Sequence, residues 1–154
     1  MRELATSIEI DASPEHVWDV LTDFDAYDEW NPFMRVVGRD NLGARLSVEI
    51  RPPGERRSRF RPTVTVVDRP RELRWVGHLF VPGIFDGEHR FTLEQLDGER
   101  TRFVQAESFD GVLAGVLLRA LGGSVGAGFR RMNEALKVRA EAADPTADDA
   151  AAAA

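Results

Sequence analysis

Three consecutive stretches near the start of the chain decide its fold: Ile8-Glu9-Ile10, then Ala12-Ser13-Pro14-Glu15-His16-Val17-Trp18-Asp19-Val20-Leu21, then Tyr27-Asp28-Glu29-Trp30-Asn31-Pro32. The first alternates apolar and polar residues, which predicts a strand. In the second, Ser13 suits an N-cap and Pro14 suits the first helical position, so a helix is predicted over 14–22. The third is a bent aromatic segment. The chain therefore begins at a sheet edge and then covers one end of the sheet with helix.

The segment from about residue 34 to residue 110 has an apolar period of two, which predicts consecutive strands. Turns that contain Gly or Pro separate these strands. Short loops between consecutive strands indicate an antiparallel meander, which can keep one face solvated and one face covered. The predicted strands cover residues 34–39, 45–51, 60–68, 72–80, 87–96 and 101–109.

A helical stripe after Gly111 predicts a long C-terminal helix that covers the sheet, because apolar residues recur every three or four positions. The first half of this helix also holds five glycines, each costing about 1 kcal/mol relative to Ala in a helix interior. Two explanations stay open. Either the helix backbone approaches the sheet or a ligand closely, or the helix breaks near Gly122-Gly123. Arg119 and the glycines argue against a membrane span.

Composition and charge indicate one globular domain, since the 154 residues are 43% hydrophobic and 30% charged. Without cysteine, the chain has no disulfide and no thiol nucleophile. A net charge of −6 and a pI near 5.1 argue against nucleic acid as a partner. No signal-peptide pattern begins the sequence, so we expect a cytoplasmic protein. An acidic, Ala-rich tail over 142–154 is expected to be disordered.

A basic cluster lies around the turn Pro52-Pro53-Gly54, between Arg51 and Arg61. We interpret it as a solvated hairpin tip, because basic side chains often decorate exposed strand ends. A patch that faces phosphate or a membrane is the alternative.

The order of these elements, with Tyr27 and Trp30 ahead of Asn31-Pro32, resembles the START-like superfamily, and most closely its polyketide cyclase/dehydrase-type (SRPBCC) branch. The resemblance spans about residues 3 to 140, and three later blocks are also similar to that branch: Leu73-Arg74-Trp75-Val76-Gly77, Pro82-Gly83-Ile84-Phe85-Asp86-Gly87-Glu88-His89 and Phe103-Val104-Gln105-Ala106-Glu107-Ser108-Phe109-Asp110-Gly111.

The resemblance implies an α+β helix-grip fold within a START-like domain over 1–141. In that fold a curved antiparallel sheet of about six to seven strands wraps a long C-terminal helix, and two short helices follow the first strand. The cavity between sheet and helix would take apolar or amphipathic small molecules. The family has no universal catalytic set, so the resemblance assigns no catalytic residue.

Parity places polar side chains on the covered face of the last two predicted strands. His89 shares its face with Phe91, and both Gln105 and Glu107 share theirs with Phe109. This face therefore carries three polar groups among aromatic rings.

The loop between these two strands sets their register. A two-residue turn would place the apolar face of one strand against the charged face of the other. A three-residue loop over 97–99 instead pairs Leu93 with Phe103 and His89 with Glu107. We therefore predict the three-residue loop, which brings the Cβ atoms of His89 and Glu107 to about 5 Å.

His89 and Glu107 are the candidate catalytic residues, with three alternative roles. They could brace the sheet as a satisfied buried pair, orient a ligand carbonyl or hydroxyl, or pass a proton to an enolisable carbon. Burial favours two neutral groups and mutual attraction favours a charged pair, and the sequence does not decide between them. Of the other histidines, His16 is expected on the solvent side of the first helix and His78 on the face opposite Trp75.

Aromatic side chains on the covered face suit a cavity for a flat or lipidic ligand, with core packing as the alternative. The apolar loop over 80–86 is expected to gate the cavity mouth or to form a dimer contact. The predicted ligand-binding residues are Trp30, Phe33, Trp75, His89, Phe91, Gln105, Glu107, Phe109 and Phe129.

The sequence favours a non-catalytic module that binds a hydrophobic or aromatic small molecule, without metal or cofactor, in a pocket closed except near residues 80–86. The alternative is a cyclase or dehydratase that transfers protons through His89 and Glu107, with Gln105 as a hydrogen-bond donor. No nucleophile, metal or phosphate motif supports an enzyme. A homodimer or a protein-interaction role through the 80–86 loop stays open, and stable membrane insertion is not expected.

Overall fold

The structure is a computed structural model that describes residues 2–79 and 81–142. Apart from Ala142, the predicted disordered tail lies outside the described residues, as does Phe80. In chain order the elements are β1 (Arg2–Ile10), α1 (Pro14–Thr22), a 3-10 turn (Phe24–Ala26), α2 (Tyr27–Trp30), β2 (Met34–Val37), β3 (Ser47–Ile50), β4 (Ser58–Phe60), β5 (Thr63–Asp68), β6 (Glu72–Leu79), β7 (Phe85–Leu96), β8 (Arg100–Asp110) and α3 (Ala114–Ala142).

The described strands form two antiparallel sheets. One has five strands in the order β1-β8-β7-β6-β5, and the other has three in the order β2-β3-β4. Helix α3 packs on β1 and β8, which gives the predicted helix-grip fold, with curved antiparallel sheet around a long C-terminal helix.

The strand count is higher than predicted because the segment 60–68 is divided between the two sheets. Pro62 has no N–H to give to a strand ladder. Its carbonyl accepts a hydrogen bond from the Leu46 N–H at 2.8 Å. Strand β4 therefore ends at Phe60, and β5 begins at Thr63 in the other sheet.

The predicted register of the last two strands is confirmed. Leu93 pairs with Phe103 and His89 pairs with Glu107, across a three-residue loop over 97–99. The last two residues of the loop have positive φ, 68° and 57°, and the first of them is a glycine, which adopts this conformation without strain.

Helix α1 begins at the predicted cap, where Ser13 Oγ accepts a hydrogen bond from the His16 N–H at 3.2 Å. The inward face of the helix buries Trp18 in the core. The predicted solvent-facing position of His16 is wrong. Its ring is half-buried, and Nε2 lies 2.9 Å from the carbonyl oxygen of Ala140, because the end of α3 covers this side of α1.

The predicted aromatic bend connects α1 to the small sheet. Tyr27 is buried and donates its hydroxyl hydrogen to the Leu21 carbonyl, and burial raises the pKa of Tyr27 far above its usual range. Asn31 Oδ1 accepts hydrogen bonds from the N–H groups of Phe33 at 3.0 Å and Met34 at 2.9 Å. This turn starts β2 and directs the Phe33 ring inward, where it is 1% exposed.

Helix α3 is continuous, so Gly122-Gly123 does not break it. Close approach explains one of its glycines: a Cβ on Gly128 would lie 2.2 Å from a ring carbon of Phe33. By contrast, a Cβ on Gly123 would meet nothing within 4 Å. No helix within residues 2–79 and 81–142 is long and apolar enough to span a membrane.

Candidate functional site

A cavity of about 610 Å³ lies between the three-stranded sheet, strands β6 to β8 of the larger sheet and the first half of α3. Gly77 and Gly87 face each other across β6 and β7 and both line the cavity, so the sheet carries no side chains at that point. The apolar wall is formed by Leu4, Phe33, Met34, Val48, Ile50, Pro52, Phe60, Pro62, Trp75, Phe85, Phe109, Leu117, Leu118, Leu121, Val125 and Phe129.

The mouth of the cavity lies between the β3–β4 loop and α3. On the loop side, the exposed residues Glu55, Arg56 and Arg59 line it. On the helix side stands Leu121, which is 40% exposed. Ser124 Oγ donates to Glu55 Oε1 at 3.4 Å and links the two sides. A ligand would enter past this mixed apolar and charged rim.

Among the described residues, the exposed part of the cavity lining lies at the β3–β4 loop and α3, and the predicted opening near residues 80–86 stays a prediction. The described part of this loop is held against the start of α3, where the Leu113 N–H donates to the Ile84 carbonyl at 2.9 Å. Phe85 is the one residue of 81–86 that lines the cavity, and its ring stacks on Phe109 at 5.4 Å between centroids. The described part of the loop thus contributes Phe85 to the wall of the cavity.

A second contact holds this loop beside the end of β6, where His78 also borders the cavity. His78 Nδ1 lies 2.7 Å from Asp86 Oδ1, and the Gly83 N–H donates to Asp86 Oδ2 at 3.0 Å. The hydrogen bond with His78, followed by that with Gly83, lowers the pKa of Asp86 below its ordinary value. Within the described residues, no group of three or more His, Asp and Glu side chains is placed to hold a metal ion.

The basic segment 51–61 has exposed arginines, as predicted, and it also borders the cavity. Its charges converge on Glu49 of β3, which Arg51 Nε reaches at 3.1 Å and Arg59 Nη2 at 3.4 Å. The side-chain hydrogen bond from Arg51 is the main cause that lowers the pKa of Glu49. The rim therefore stays positively charged around an ionised carboxylate.

Glu107 and His89 form a polar part of the cavity wall, on strands β8 and β7. His89 Nδ1 lies 2.9 Å from Glu107 Oε2. The His89 side chain is 3% exposed and that of Glu107 is 23% exposed, so the carboxylate is the more accessible member of the pair. The second carboxylate oxygen, Oε1, lies over Gly87, where a Cβ would approach it to 2.6 Å. A glycine at this position leaves the space that Oε1 occupies.

A chain of buried polar groups continues behind His89. His89 Nε2 lies 3.0 Å from Gln105 Oε1, while Gln105 Nε2 donates to Asn133 Oδ1 at 2.8 Å and to the Phe129 carbonyl at 3.4 Å. Asn133 Nδ2 in turn donates to Thr6 Oγ1 at 2.9 Å. Gln105 is 0% exposed and Asn133 is 2% exposed. The chain links β7, β8, α3 and β1 through one hydrogen-bonded network.

Aromatic rings hold the His89 imidazole in place. The Trp75 ring stacks on it, with centroids 5.4 Å apart and an interplanar angle of 21°. The Phe129 ring meets it edge-on at 5.2 Å and 81°. With hydrogen bonds at both nitrogens and rings on two sides, His89 has one defined orientation.

The structure brings six of the nine predicted ligand-binding residues into the cavity wall. Phe91 is instead fully buried in the core and stacks on Phe103. Gln105 is buried behind His89, and Trp30 packs on Tyr27 at 5.0 Å, away from the cavity. Contact of the other six with a ligand stays a prediction; they are Phe33, Trp75, His89, Glu107, Phe109 and Phe129.

The wall that the small sheet contributes was not predicted from the sequence. Val48 and Ile50 alternate with the charged Glu49, and this parity predicts that both point inward. The alternation was a usable signal. The part of α3 near Leu117 had no comparable signal. An apolar stripe that packs directly on a sheet has the same sequence pattern as one that is separated from the sheet by a cavity.

Fold and cavity together define a helix-grip domain with a cavity between its sheets and its long helix. A family model described as polyketide cyclase / dehydrase and lipid transport matches residues 1–141. The chain belongs to this family. No curated protein matches it significantly.

Solved structures share the fold at low sequence identity. A protein from Thermus thermophilus is 19% identical, with a TM-score of 0.71 over 92% of this chain and 99% of the other. The Zhui aromatase/cyclase from a Streptomyces species is 18% identical, with a TM-score of 0.71 over 91% and 93%. A START superfamily protein from Mycobacterium smegmatis is 21% identical, with a TM-score of 0.66 over 90% and 97%.

Proposed function

We propose that this protein binds a hydrophobic or aromatic small molecule in the cavity between its sheets and α3. The cavity itself carries the proposal: it offers about 610 Å³ behind a mainly apolar wall that contains the His89 and Glu107 pair, with charged residues at its rim. Cavities of roughly 300–1,000 Å³ with a few placed polar groups are typical of small-molecule sites. The family description, which names lipid transport, supports the same class of ligand.

The aromatic part of the wall favours a flat ligand. Trp75 and Phe129 both pack against the ring of His89, and Phe109 extends the wall next to Phe85. Rings gain from stacked and edge-on contacts beyond the apolar area that they bury. A fused aromatic molecule would use these surfaces better than a linear chain.

Filling the cavity is expected to weaken binding without unfolding the protein. Val125 lines the cavity from α3 and is half-buried, so Val125→Trp places an indole in the space that a ligand would occupy. We expect pyrene to bind the variant at least about tenfold more weakly, a loss of roughly 1.4 kcal/mol. Titration of tryptophan fluorescence with pyrene measures the effect.

Val138→Trp is the matched control, because Val138 lies on the same helix but is 68% exposed. This variant should bind pyrene as the unmodified protein does. Equal affinities for all three proteins would place any binding outside the cavity. Failure of the unmodified protein to bind apolar probes would contradict the proposed function.

Cyclase or dehydratase chemistry is the second candidate, favoured by the acid and imidazole pair at the cavity wall. The family description also names these activities. In this function Glu107 and His89 would transfer protons to and from a polyketide chain enclosed by the apolar wall.

Turnover of an aromatic-forming polyketide substrate tests this second function. Proton transfer by a placed side chain contributes roughly 10²- to 10⁴-fold to a rate, so Glu107→Gln should reduce turnover by about that factor. His89→Ala should do the same. Unchanged product formation in both variants, measured by chromatography, would exclude acid–base catalysis by the pair.

A further inference from the structure

The direction of the buried polar chain is determined by two backbone carbonyls, which can only accept hydrogen bonds. At one end, the Thr6 hydroxyl donates its hydrogen to the backbone carbonyl of Gln105 at 3.3 Å. Thr6 Oγ1 can therefore only accept in its contact with Asn133 Nδ2. Near the other end, the Phe129 carbonyl lies 3.4 Å from the Gln105 amide. The side of that amide next to Phe129 must therefore be its NH₂ group.

These constraints assign the proton on His89. Because the NH₂ group of Gln105 faces Phe129 and Asn133, its Oε1 faces His89 Nε2 at 3.0 Å. An oxygen with no hydrogen can only accept, so Nε2 carries a hydrogen. Nδ1, which lies 2.9 Å from Glu107 Oε2, is thus the nitrogen of His89 that can gain or lose a proton.

The contact between His89 Nδ1 and Glu107 Oε2 then holds one proton in either ionisation state. If the pair is charged, the proton is on Nδ1 and Glu107 is a carboxylate. If the pair is neutral, the proton is on Oε2 and donates to Nδ1. A contact of 2.9 Å between a nitrogen and an oxygen accommodates one hydrogen between the two atoms.

Glu107 Oε1 is therefore a hydrogen-bond acceptor in both states, as a carboxylate oxygen or as the carbonyl oxygen of a neutral acid. It makes no hydrogen bond with the described residues, and Glu107 lines the cavity. A ligand that fills the cavity and carries no donor would cover this oxygen and leave it unpaired, which costs binding free energy.

We propose that Glu107 Oε1 selects ligands that donate a hydrogen bond, so that the cavity takes an aromatic or other apolar molecule bearing a hydroxyl group. This inference rests on the proposed binding function and specifies its ligand class. Ketones, ethers and carboxylates of the same size lack the donor. In this arrangement His89, Gln105 and Asn133 are positioning residues that act through Glu107.

The test compares four probes of one shape: pyrene, hydroxypyrene, methoxypyrene and pyrenecarboxylate at neutral pH. Hydroxypyrene should bind roughly 10- to 100-fold more tightly than methoxypyrene, and pyrenecarboxylate no more tightly than pyrene. Equal affinities for all four would leave the binding function standing and overturn the selection by Glu107. Tightest binding of the carboxylate would also overturn it and point to the arginines at the mouth. Absence of binding by every probe would overturn the binding function itself.

Two substitutions at Glu107 make the test specific. Glu107→Leu removes the acceptor, and the preference for hydroxypyrene over methoxypyrene should disappear. In Glu107→Gln the amide NH₂ can donate to Nδ1 and the amide oxygen can take the place of Oε1, so the preference lost in the leucine variant should be restored. Glu94→Leu, on the exposed part of β7, should keep the preference. Persistence of the preference in Glu107→Leu would contradict the proposal.

Discussion

Gly128→Ala is expected to reduce the free energy of unfolding by about 2 kcal/mol, within the range of roughly 1–3 kcal/mol for an overpacked core position. The added Cβ would lie 2.2 and 2.3 Å from two ring carbons of Phe33. That ring is 1% exposed and packs edge-on against Phe129, so moving it away from the added Cβ would break this contact and shift the ring into the cavity that it lines. The gain of about 1 kcal/mol in helix propensity from Gly to Ala does not offset such a clash.

Gly123→Ala is the matched control on the same helix. Gly123 is exposed and a Cβ there meets nothing within 4 Å, so alanine should stabilise the protein by up to about 1 kcal/mol. Urea denaturation of both variants measures the two changes. Opposite signs are expected, and a stabilising effect of Gly128→Ala would show that Phe33 is not fixed against α3.

These two glycines illustrate what the sequence determines about α3 and what it does not. The apolar stripe predicts the length of the helix, because its period depends on local geometry alone. The stripe does not tell a glycine that contacts the sheet from one that faces solvent. That distinction depends on Phe33, which the turn at Asn31 directs inward, and it therefore depends on a contact distant in sequence.

The fold was predictable to the level of element order and register. The cap at Ser13 and the loop over 97–99 are local signals with one structural solution each, and both are confirmed. The division of the meander into two sheets was not predicted, although Pro62 in the middle of an assumed strand pointed to it. The relative placement of the two sheets has no periodic signal in the sequence.

The parts of the candidate site that depend on strand register could be predicted from the sequence. The parts that depend on the distance between the sheets and α3 could not. Parity and loop length brought His89 next to Glu107. The same parity placed Phe91 and Phe109 on one face, yet the first is core and the second lines the cavity. Whether a side chain contacts a neighbour or lines a cavity depends on the distance between the packed elements. The alternation of residues in the sequence carries no information about that distance.

Gln105→Leu is expected to reduce the free energy of unfolding by about 3 kcal/mol. Gln105 is fully buried and bonds to His89, Asn133 and the Phe129 carbonyl. Leucine has a similar size but no polar atom, so the change leaves several buried groups without partners, and each unpaired group costs about 1–3 kcal/mol. Urea denaturation measures the loss, and an unchanged slope would show that the unfolded and folded states keep their compactness.

The cost of Gln105→Leu belongs to the network and not to the residue alone, which a double-mutant cycle with Asn133→Leu can establish. Once Gln105 is replaced, Asn133 Oδ1 has already lost its hydrogen bond and only the bond from Asn133 Nδ2 to Thr6 is left to lose. The double variant should therefore lose less stability than the sum of the two single variants, by about 1 kcal/mol or more. Gln95→Leu, at an exposed position of β7, should change the stability by less than about 0.5 kcal/mol. Strict additivity of the two core variants would mean that the polar chain behind His89 does not act as one unit, and the assignment of the His89 proton would lose its support.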